Sequence, residues 1–382
     1  MSFGFIRLLD HILGKIFILI VSPLCSLITK FLPARHSDVA KTITILKLHG
    51  GGSLLIALPA LLGIRAQYQH TTLTLIGTAE TQKYAELTGV FDSYVLINSS
   101  SPLTLLTSGF KALAASFRND VFIDLEPHSF LAAVFSPLTL ASRRIGLVKA
   151  HEFYRARGYT DALYFNLHAP IYIFYDQIAA LLKAQPASIA VCQAALRSQA
   201  DKKQPLLADQ PRPAIYVSAF TSSLSPERMM PMPLWVEQIQ KKFGAAPVTI
   251  ILGGGPQEVA SANNLASLLK TALPSSSLIL ACGKRSLRQA IEDIDRADEF
   301  WGVDSGPLHI ARLLGKRCVS FWGPSNPAYR LRPISQLDET VYYRPIHCSP
   351  CVHMSARAPC KGDNQCMKLL FSPDTSALAI RL

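Results

Sequence analysis

Residues 299–325, EFWGVDSGPLHIARLLGKRCVSFWGPS, decide the fold because they predict a strand, a helix and a second strand in direct succession. The apolar run that ends at Val303 predicts a buried strand, and Asp304-Ser305-Gly306-Pro307 predicts the start of a helix that holds His309. RCVSFW predicts the next strand. Strands that alternate with helices are typical of βαβ units and a parallel sheet.

The same alternation runs through both halves of the chain. The first half contains the strand-like runs TITILKL, TTLTLIG, DSYVLIN and DVFIDLE, and the second contains AIYVSAF, VTIILGG, SLILACG, EFWGV and RCVSFW. We therefore predict two α/β domains with doubly wound sheets, residues 37–200 and 214–382, joined by the linker 201–213. The carboxyl ends of two such sheets would border a ligand-binding cleft.

The N-terminal segment, residues 1–36, differs from the rest because it is apolar and basic. Fourteen uncharged residues separate Lys15 from Lys30, which is shorter than the ~20 residues that cross a bilayer as a helix. The segment predicts either an anchor in the plane of a membrane surface or a helix packed on the protein itself. It lacks the pattern of a secretory signal, so we expect a cytoplasmic protein with reduced thiols.

The charge of the chain favours anionic partners. Lys and Arg number 38 against 26 Asp and Glu, which gives a formal net charge of +12. The sequence has no C2H2 finger, no RNP-like aromatic pattern and no helix dense in Lys and Arg, so we expect no nucleic-acid partner. A phosphorylated lipid or a nucleotide substrate fits the same charge.

The start of the helix after Val303 has the features of an anion site. Asp304 can cap the helix, Gly306 lets a ligand approach the backbone, and Pro307 suits the first turn. The free N–H groups and the helix dipole at that end favour a diphosphate, towards which His309 would point. The alternative is a capped helix with a packed histidine.

This region closely resembles the C-terminal signature of glycosyltransferase family 9, the heptosyltransferases. The signature is Asp-(Ser/Thr)-Gly-x-x-His followed by a strand and Gly-Pro-(Thr/Ser)-x-Pro, here Asp304 to His309 and Gly323 to Pro327. ILGGGPQE, RMMP with Trp235, and KLHGGGSLLIALPAL resemble further segments of the family in the same order. The resemblance covers roughly residues 40 to 370.

The resemblance implies a GT-B architecture, with the nucleotide sugar on the C-terminal domain and the acceptor on the N-terminal one. It implies inverting transfer of a sugar, with ADP-heptose the expected donor, to a lipopolysaccharide core or related lipid-linked glycan at the cytoplasmic face of the inner membrane. No divalent metal would be required. The alternatives are another nucleotide-sugar donor, or a non-catalytic scaffold that binds nucleotide or glycan.

By position in these motifs, six residues are expected to bind the donor. Ser305, Gly306 and His309 would face the diphosphate together with Arg228, and Glu258 would bond the ribose hydroxyls unless it is an ordinary exposed residue at a helix start. Asp304 completes the set.

The catalytic base is where this chain departs from the family. The family has an aspartate after the N-terminal glycine turn, but this chain has Ser53, whose hydroxyl is not a useful base near neutral pH. We predict Glu126 as the base, with Asp124 second and His128 as an orienting neighbour, because DVFIDLE ends at the ligand-binding edge of its sheet. Alternatively, these acids cap the following helix or support acceptor loops.

Two further groups of residues admit more than one interpretation. Cys348, Cys351, Cys360 and Cys366 begin with a C-x2-C pattern and could hold a structural zinc ion, or could be reduced thiols or a conditional disulfide. Four arginines could bind phosphates or acidic sugars of the acceptor, or form a solvated basic face; they are Arg143, Arg144, Arg155 and Arg157.

Overall fold

The computed structural model of the chain describes residues 14, 16–25, 27–28, 31, 40–207, 210–221, 225–352, 354 and 358–372. The chain divides into two compact units. The first comprises residues 1–169 and 173–187, and the second comprises residues 170–172 and 188–382. Residues 208–209 of the predicted linker lie outside the described residues.

The first unit is built on a six-stranded parallel sheet. Its strands are β1 (Thr42–Lys47), β2 (Thr72–Gly77), β3 (Ser93–Leu96), β4 (Val121–Asp124), β5 (Arg143–Val148) and β6 (Asp161–Tyr164). Their order is β3-β2-β1-β4-β5-β6. The central strands β1 and β4 are almost entirely buried, as expected for a parallel sheet covered on both faces.

Helices connect these strands. They are α1 (Gly52–Ile56), α2 (Leu58–Gln67), α3 (Ala79–Glu86), α4 (Pro102–Ser116), α5 (Phe130–Leu138) and α6 (Ile171–Leu181), with a 3₁₀ helix at Ala150–Gly158. Capping boxes fix two of the starts, because the side chains of Thr78 and Ser101 accept hydrogen bonds from backbone N–H groups of the first turn.

The second unit repeats the same plan. Its strands are β7 (Ala214–Ser218), β8 (Thr249–Leu252), β9 (Ser277–Leu280), β10 (Glu299–Val303), β11 (Arg317–Trp322) and β12 (Glu339–Tyr343), in the order β12-β11-β10-β7-β8-β9. Its helices are α7 (Ile189–Gln199), α8 (Met232–Phe243), α9 (Val259–Ala272), α10 (Leu287–Arg296), α11 (Gly306–Leu313), α12 (Pro327–Arg330) and α13 (Gln365–Lys368), with 3₁₀ turns at Pro226–Arg228 and Pro256–Glu258.

The predicted fold class, α/β with two Rossmann-like sheets of the GT-B type, is confirmed. All nine predicted strands are present, and the pattern missed β5, β6 and β12. These three carry charged or exposed residues, as in Arg143-Arg144 at the start of β5, so they lack the continuous apolar run of a central strand.

Part of the N-terminal segment is described. Residues 14, 16–25, 27–28 and 31 are helical, whereas 1–13, 15, 26, 29–30 and 32–36 lie outside the described residues. Ile18 is buried against Ala133, Val134 and Tyr159. No helix in the described part of the chain is both long enough and apolar enough to cross a membrane.

Candidate active site

The second sheet reverses its winding direction between β7 and β10. These strands are neighbours, but the chain continues outward from them on opposite sides, through β8 and β9 and through β11 and β12. Open α/β sheets bind ligands at the carboxyl ends of the strands at such a switch point. Arg228 follows β7, and Asp304 follows β10 directly.

The centre of this point is the buried carboxylate of Asp304, which is 6% exposed. Ser325 Oγ donates a hydrogen bond to Asp304 Oδ2 at 2.7 Å, and Arg228 Nη1 lies 3.6 Å from the same oxygen and donates to the Asp304 carbonyl at 2.8 Å. Burial opposes the charge, but the fields of Arg228 and Arg330 outweigh it, so the pKa of Asp304 lies below its ordinary value of 3.8. Asp304 therefore fixes the guanidinium of Arg228 in place.

The N-terminus of α11 adds donors beside this cluster. Ser305 precedes the helix, and its Oγ is buried without a hydrogen-bond partner in the described part of the chain. A buried hydroxyl without a partner is costly, and a ligand oxygen would satisfy it. Gly306 and Pro307 begin the helix, so its free backbone N–H groups and the positive end of its dipole face the same side as the Ser305 hydroxyl. This arrangement suits an anion.

His309 lies one turn into α11 and is 5% exposed. Its Nε2 is 4.0 Å from Asp304 Oδ1. Burial lowers its pKa from 6.5 to about 4, with Asp304 opposing and the nearby arginines adding to the shift. The imidazole is therefore neutral near pH 7 and is available as a polar partner without a charge.

The buried state of His309 predicts a specific loss of stability in acid. Because the folded pKa is depressed, the stabilisation is present above pH 6.5 and is lost as the pH falls towards 4, by up to about 3 kcal/mol. Urea unfolding of His309→Gln should lack this loss, whereas the matched variant His70→Gln, at an exposed position, should keep the wild-type profile. Parallel profiles for wild type and His309→Gln would contradict the assignment.

Glu258 lies at the start of α9, after β8, at the same edge of the sheet. A side chain on Gly255 would come within 2.8 Å of Glu258 Oε2, so the glycine lets this carboxylate lie against the backbone. The predicted contact of Glu258 with ribose hydroxyls stays a prediction.

The first sheet has the equivalent switch point between β1 and β4. Glu126, two residues past β4, is 5% exposed and is tied to the end of β1. Its Oε1 accepts hydrogen bonds from Lys47 Nζ at 3.0 Å, Leu48 N at 2.7 Å and His49 N at 2.9 Å. Its Oε2 accepts none from the described part of the chain. Glu126 thus holds the start of the HGGGS turn, residues 49–53, through Oε1, and its Oε2 remains available to a ligand.

Asp124 is held differently, inside the unit. It is 1% exposed, and Tyr159 Oη donates to its Oδ2 at 2.6 Å while Glu126 N donates to its Oδ1 at 2.8 Å. Burial raises its pKa to about 6, partly offset by Arg155 at 3.9 Å. Both oxygens are engaged, so Asp124 supports the position of Glu126.

The HGGGS turn leads directly into α1. Gly50 has a φ of +70°, which favours glycine, and a side chain on Gly51 would collide with the ring of Tyr84. Ser53 Oγ donates to the Gly50 carbonyl at 2.7 Å. The first two glycines and the serine therefore shape the turn itself.

The arginines predicted for the acceptor are mostly structural. Arg155 is fully buried and donates to the carbonyls of Glu126 and Pro127. It therefore neither faces an acceptor nor belongs to a solvated basic face, and both interpretations of this residue are wrong. Arg144 is 8% exposed and bonds the Ala141 and Gly158 carbonyls. Both guanidiniums satisfy loop carbonyls that the sequence pattern could not reveal.

The four C-terminal cysteines are free thiols, two of them buried. Among the described residues, no group of three or more His, Cys, Asp or Glu side chains is arranged to hold a metal ion. Zinc binding by the four thiols stays a prediction that a metal assay on the purified protein would test. The segment packs beside the loop that follows β11, where Cys351 N donates to the Pro324 carbonyl at 2.9 Å.

Sequence reasoning missed three residues of these sites. Lys47 contacts Glu126, Ser325 contacts Asp304, and Arg330 acts on both Asp304 and His309 through its charge. Ser325 lies within the quoted Gly-Pro-(Thr/Ser)-x-Pro motif, and Lys47 ends β1, so motif and position were the available signals for these two residues. Arg330 ends α12 and carried no such signal.

Comparisons with known proteins agree with this architecture. The model of glycosyltransferase family 9 (heptosyltransferase) matches residues 110–361, which is more than half of the chain. A comparison with curated protein sequences finds no match.

Three solved structures illustrate the similarity of fold. A glycosyl transferase family 9 protein from Veillonella parvula has 16% identity and a TM-score of 0.58, covering 79% of this chain and 86% of that one. E. coli ADP-heptose lps heptosyltransferase II has 16% identity and a TM-score of 0.58, covering 80% and 91%. E. coli heptosyltransferase WaaC with ADP-2-deoxy-2-fluoro heptose has 15% identity and a TM-score of 0.58, covering 80% and 93%.

Proposed function

The chain belongs to glycosyltransferase family 9, and from that premise we propose that it transfers a heptose from ADP-heptose to a lipid-linked glycan such as a lipopolysaccharide core. The donor is supported by the two E. coli heptosyltransferases of similar fold, one described as an ADP-heptose enzyme and the other holding an ADP-heptose analogue. The proposed acceptor, a lipid-linked glycan, rests on membership of the heptosyltransferase family.

The observation that carries the proposal is the arrangement around Asp304. A buried carboxylate holds Arg228 in place, and the unpartnered hydroxyl of Ser305 lies at the N-terminus of α11. Cationic and N–H donors at the switch point of a parallel sheet match a nucleoside diphosphate. We assign the donor to this edge of the second unit.

The proposed reaction inverts the anomeric carbon. An acceptor hydroxyl attacks that carbon while its proton passes to Glu126 Oε2, and the bond from the carbon to the diphosphate oxygen breaks to release ADP. Arg228, Arg330 and the N-terminus of α11 stabilise the charge that develops on the diphosphate. These groups supply positive charge at the leaving group, so we propose that no divalent cation is needed.

We place this reaction at the cytoplasmic face of the inner membrane. A lipid-linked acceptor lies at that surface, and the basic, apolar N-terminal segment suits peripheral attachment. The formal charge of +12 favours an anionic surface.

Titration calorimetry with ADP and UDP, followed by a test for ADP release, examines the proposal. We expect ADP to bind more tightly than UDP, and ADP to be released from ADP-heptose only when a lipopolysaccharide-core acceptor is added. Tighter UDP binding would assign another donor. If the chain binds nucleotide but releases no nucleoside diphosphate across a panel of donors and acceptors, the non-catalytic scaffold is favoured. That alternative is considered because Ser53 stands where the family has an aspartate.

A further inference from the structure

Three helical segments lie side by side on one face of the first unit. Ala132 of α5 shares a core cluster with Ala112 of α4, and its neighbour Ala133 packs with Ile18 of the N-terminal helical residues. The helix α5 therefore lies between α4 and the N-terminal helical residues.

The outer surface of these segments is apolar. On α4, Leu103, Leu106 and Phe110 are 70%, 61% and 69% exposed, and their spacing of three and four residues aligns them in one stripe. Further large exposed apolar side chains lie on the N-terminal helical residues, on α5 and just after α4, and we call the whole set the apolar face. Its other members are Ile16, Phe17, Leu19, Ile20, Leu24, Leu27, Ile28, Phe31, Phe117 and Leu131.

The apolar face is larger than the scattered apolar residues of an ordinary surface. Within the same N-terminal stretch, Ile18 and Ser22 are each only 1% exposed, so the segment buries one side against the protein and presents the other to solvent. Such a concentration of large exposed apolar side chains marks a binding surface.

The charges around the apolar face select an anionic partner. Residues 14–31, 102–116 and 130–138 contain no aspartate or glutamate, whereas Lys111 is exposed on α4 and Lys15 and Lys30 flank the N-terminal apolar run in the sequence. Segments that combine exposed apolar side chains with lysines in the sequence and contain no acids have the composition of surfaces that lie in the headgroup region of anionic bilayers.

The apolar face also adjoins the candidate acceptor site. The helix α4 begins after β3, and α5 begins with Phe130 after β4, so both start at the sheet edge that carries Glu126 and the HGGGS turn. Gly14 lies against Phe130, which places that end of the N-terminal helical residues at the same edge. A lipid-borne acceptor held in the bilayer would reach this edge directly.

We propose that the apolar face docks in the plane of an anionic lipid bilayer, with α4 as a second contact beside the N-terminal segment. The orientation towards the acceptor rests on the proposed function, whereas the docking itself rests on the exposure and charge of these residues. In this arrangement the exposed side chains of Leu103, Leu106 and Phe110 enter the boundary between headgroups and acyl chains.

Sedimentation of the full chain with vesicles of phosphatidylglycerol and phosphatidylethanolamine tests the docking. The triple variant Leu103→Gln, Leu106→Gln and Phe110→Gln should bind about tenfold more weakly or worse, because three apolar side chains no longer enter the lipid. The matched variant Leu268→Gln, 44% exposed on α9 of the second unit, should bind as wild type does. Because all four residues are exposed, the midpoint of thermal unfolding should change little, which would show that both variants fold.

Two further measurements separate the alternatives. Wild-type binding to phosphatidylcholine vesicles should be weaker, since these lack the anionic charge. Unchanged vesicle binding by the triple variant would overturn the proposal. If, in addition, the wild type is a dimer and the triple variant is a monomer, the apolar face contacts a second copy of the chain instead of a bilayer. Loss of vesicle binding together with normal transfer to a delipidated acceptor supports both proposals, whereas loss of vesicle binding in a chain that shows no transfer supports docking alone.

Discussion

Replacement of Arg228 by glutamine is expected to weaken ADP binding by about 10- to 100-fold. The guanidinium is 19% exposed and is fixed by the carboxylate and the carbonyl of Asp304, so it is pre-organised to donate to a diphosphate. Hydrogen bonds to charged groups contribute roughly 1.5–3 kcal/mol, which corresponds to this range of affinity. Calorimetric titration with ADP measures the effect directly, without an acceptor.

Two variants make this result specific. Arg228→Lys keeps the charge but loses the second donor of the fork, so it should bind ADP with intermediate affinity. Arg212→Gln removes a half-exposed arginine that pairs with Asp298 at the start of β10, away from the strand's carboxyl end, and should leave ADP binding unchanged. If Arg228→Gln folds and binds ADP as wild type does, the diphosphate does not lie at this edge.

The strands that could be predicted from the sequence are those whose burial is complete. β1, β4 and β10 appear as apolar runs because both faces of a parallel sheet are covered, and this requires no knowledge of their neighbours. β5 was missed because Arg143 and Arg144 at its start interrupt the pattern, although Arg144 is itself buried by bonding loop carbonyls. Burial through hydrogen bonds leaves no hydrophobic signal.

The candidate site of the second unit was easier to predict than that of the first unit, for a physical reason. Asp304, Ser305 and His309 lie within one local motif, so their relative positions follow from one strand and one helix. Glu126, in contrast, is defined by Lys47, Leu48 and His49, nearly 80 residues earlier in the chain. Such long-range hydrogen bonds depend on which strands become neighbours, and no local spacing encodes them.

Strand order explains why both candidate sites occupy corresponding places. In each sheet the two strands at the switch point are the first and the fourth in chain order, β1 with β4 and β7 with β10. The loops after them diverge to opposite sides, which leaves room for a ligand between them. The same plan presents a cationic site after β7 and β10 and a carboxylate after β4.

Replacement of Glu126 by glutamine is expected to lower kcat by about 10²- to 10⁴-fold, the usual contribution of a general base. Glutamine has nearly the same shape, and its carbonyl oxygen can still accept from Leu48 N and His49 N, so the HGGGS turn should keep its form. The amide nitrogen cannot take a proton from the acceptor hydroxyl. Steady-state transfer with saturating donor measures kcat, and ADP titration measures whether the donor site is intact.

The KM for acceptor separates catalysis from positioning. As the base, Glu126 should affect kcat alone; as a brace of the turn, it should raise the KM for acceptor, and Glu126→Ala would do so more than Glu126→Gln. Glu80→Gln, at an exposed position in the first turn of α3 in the same unit, is the control and should leave both constants unchanged. A near-normal kcat for Glu126→Gln would show that Glu126 is not the base. The base would then have to be a third group, because the Ser53 hydroxyl is not basic enough and both oxygens of Asp124 already accept hydrogen bonds.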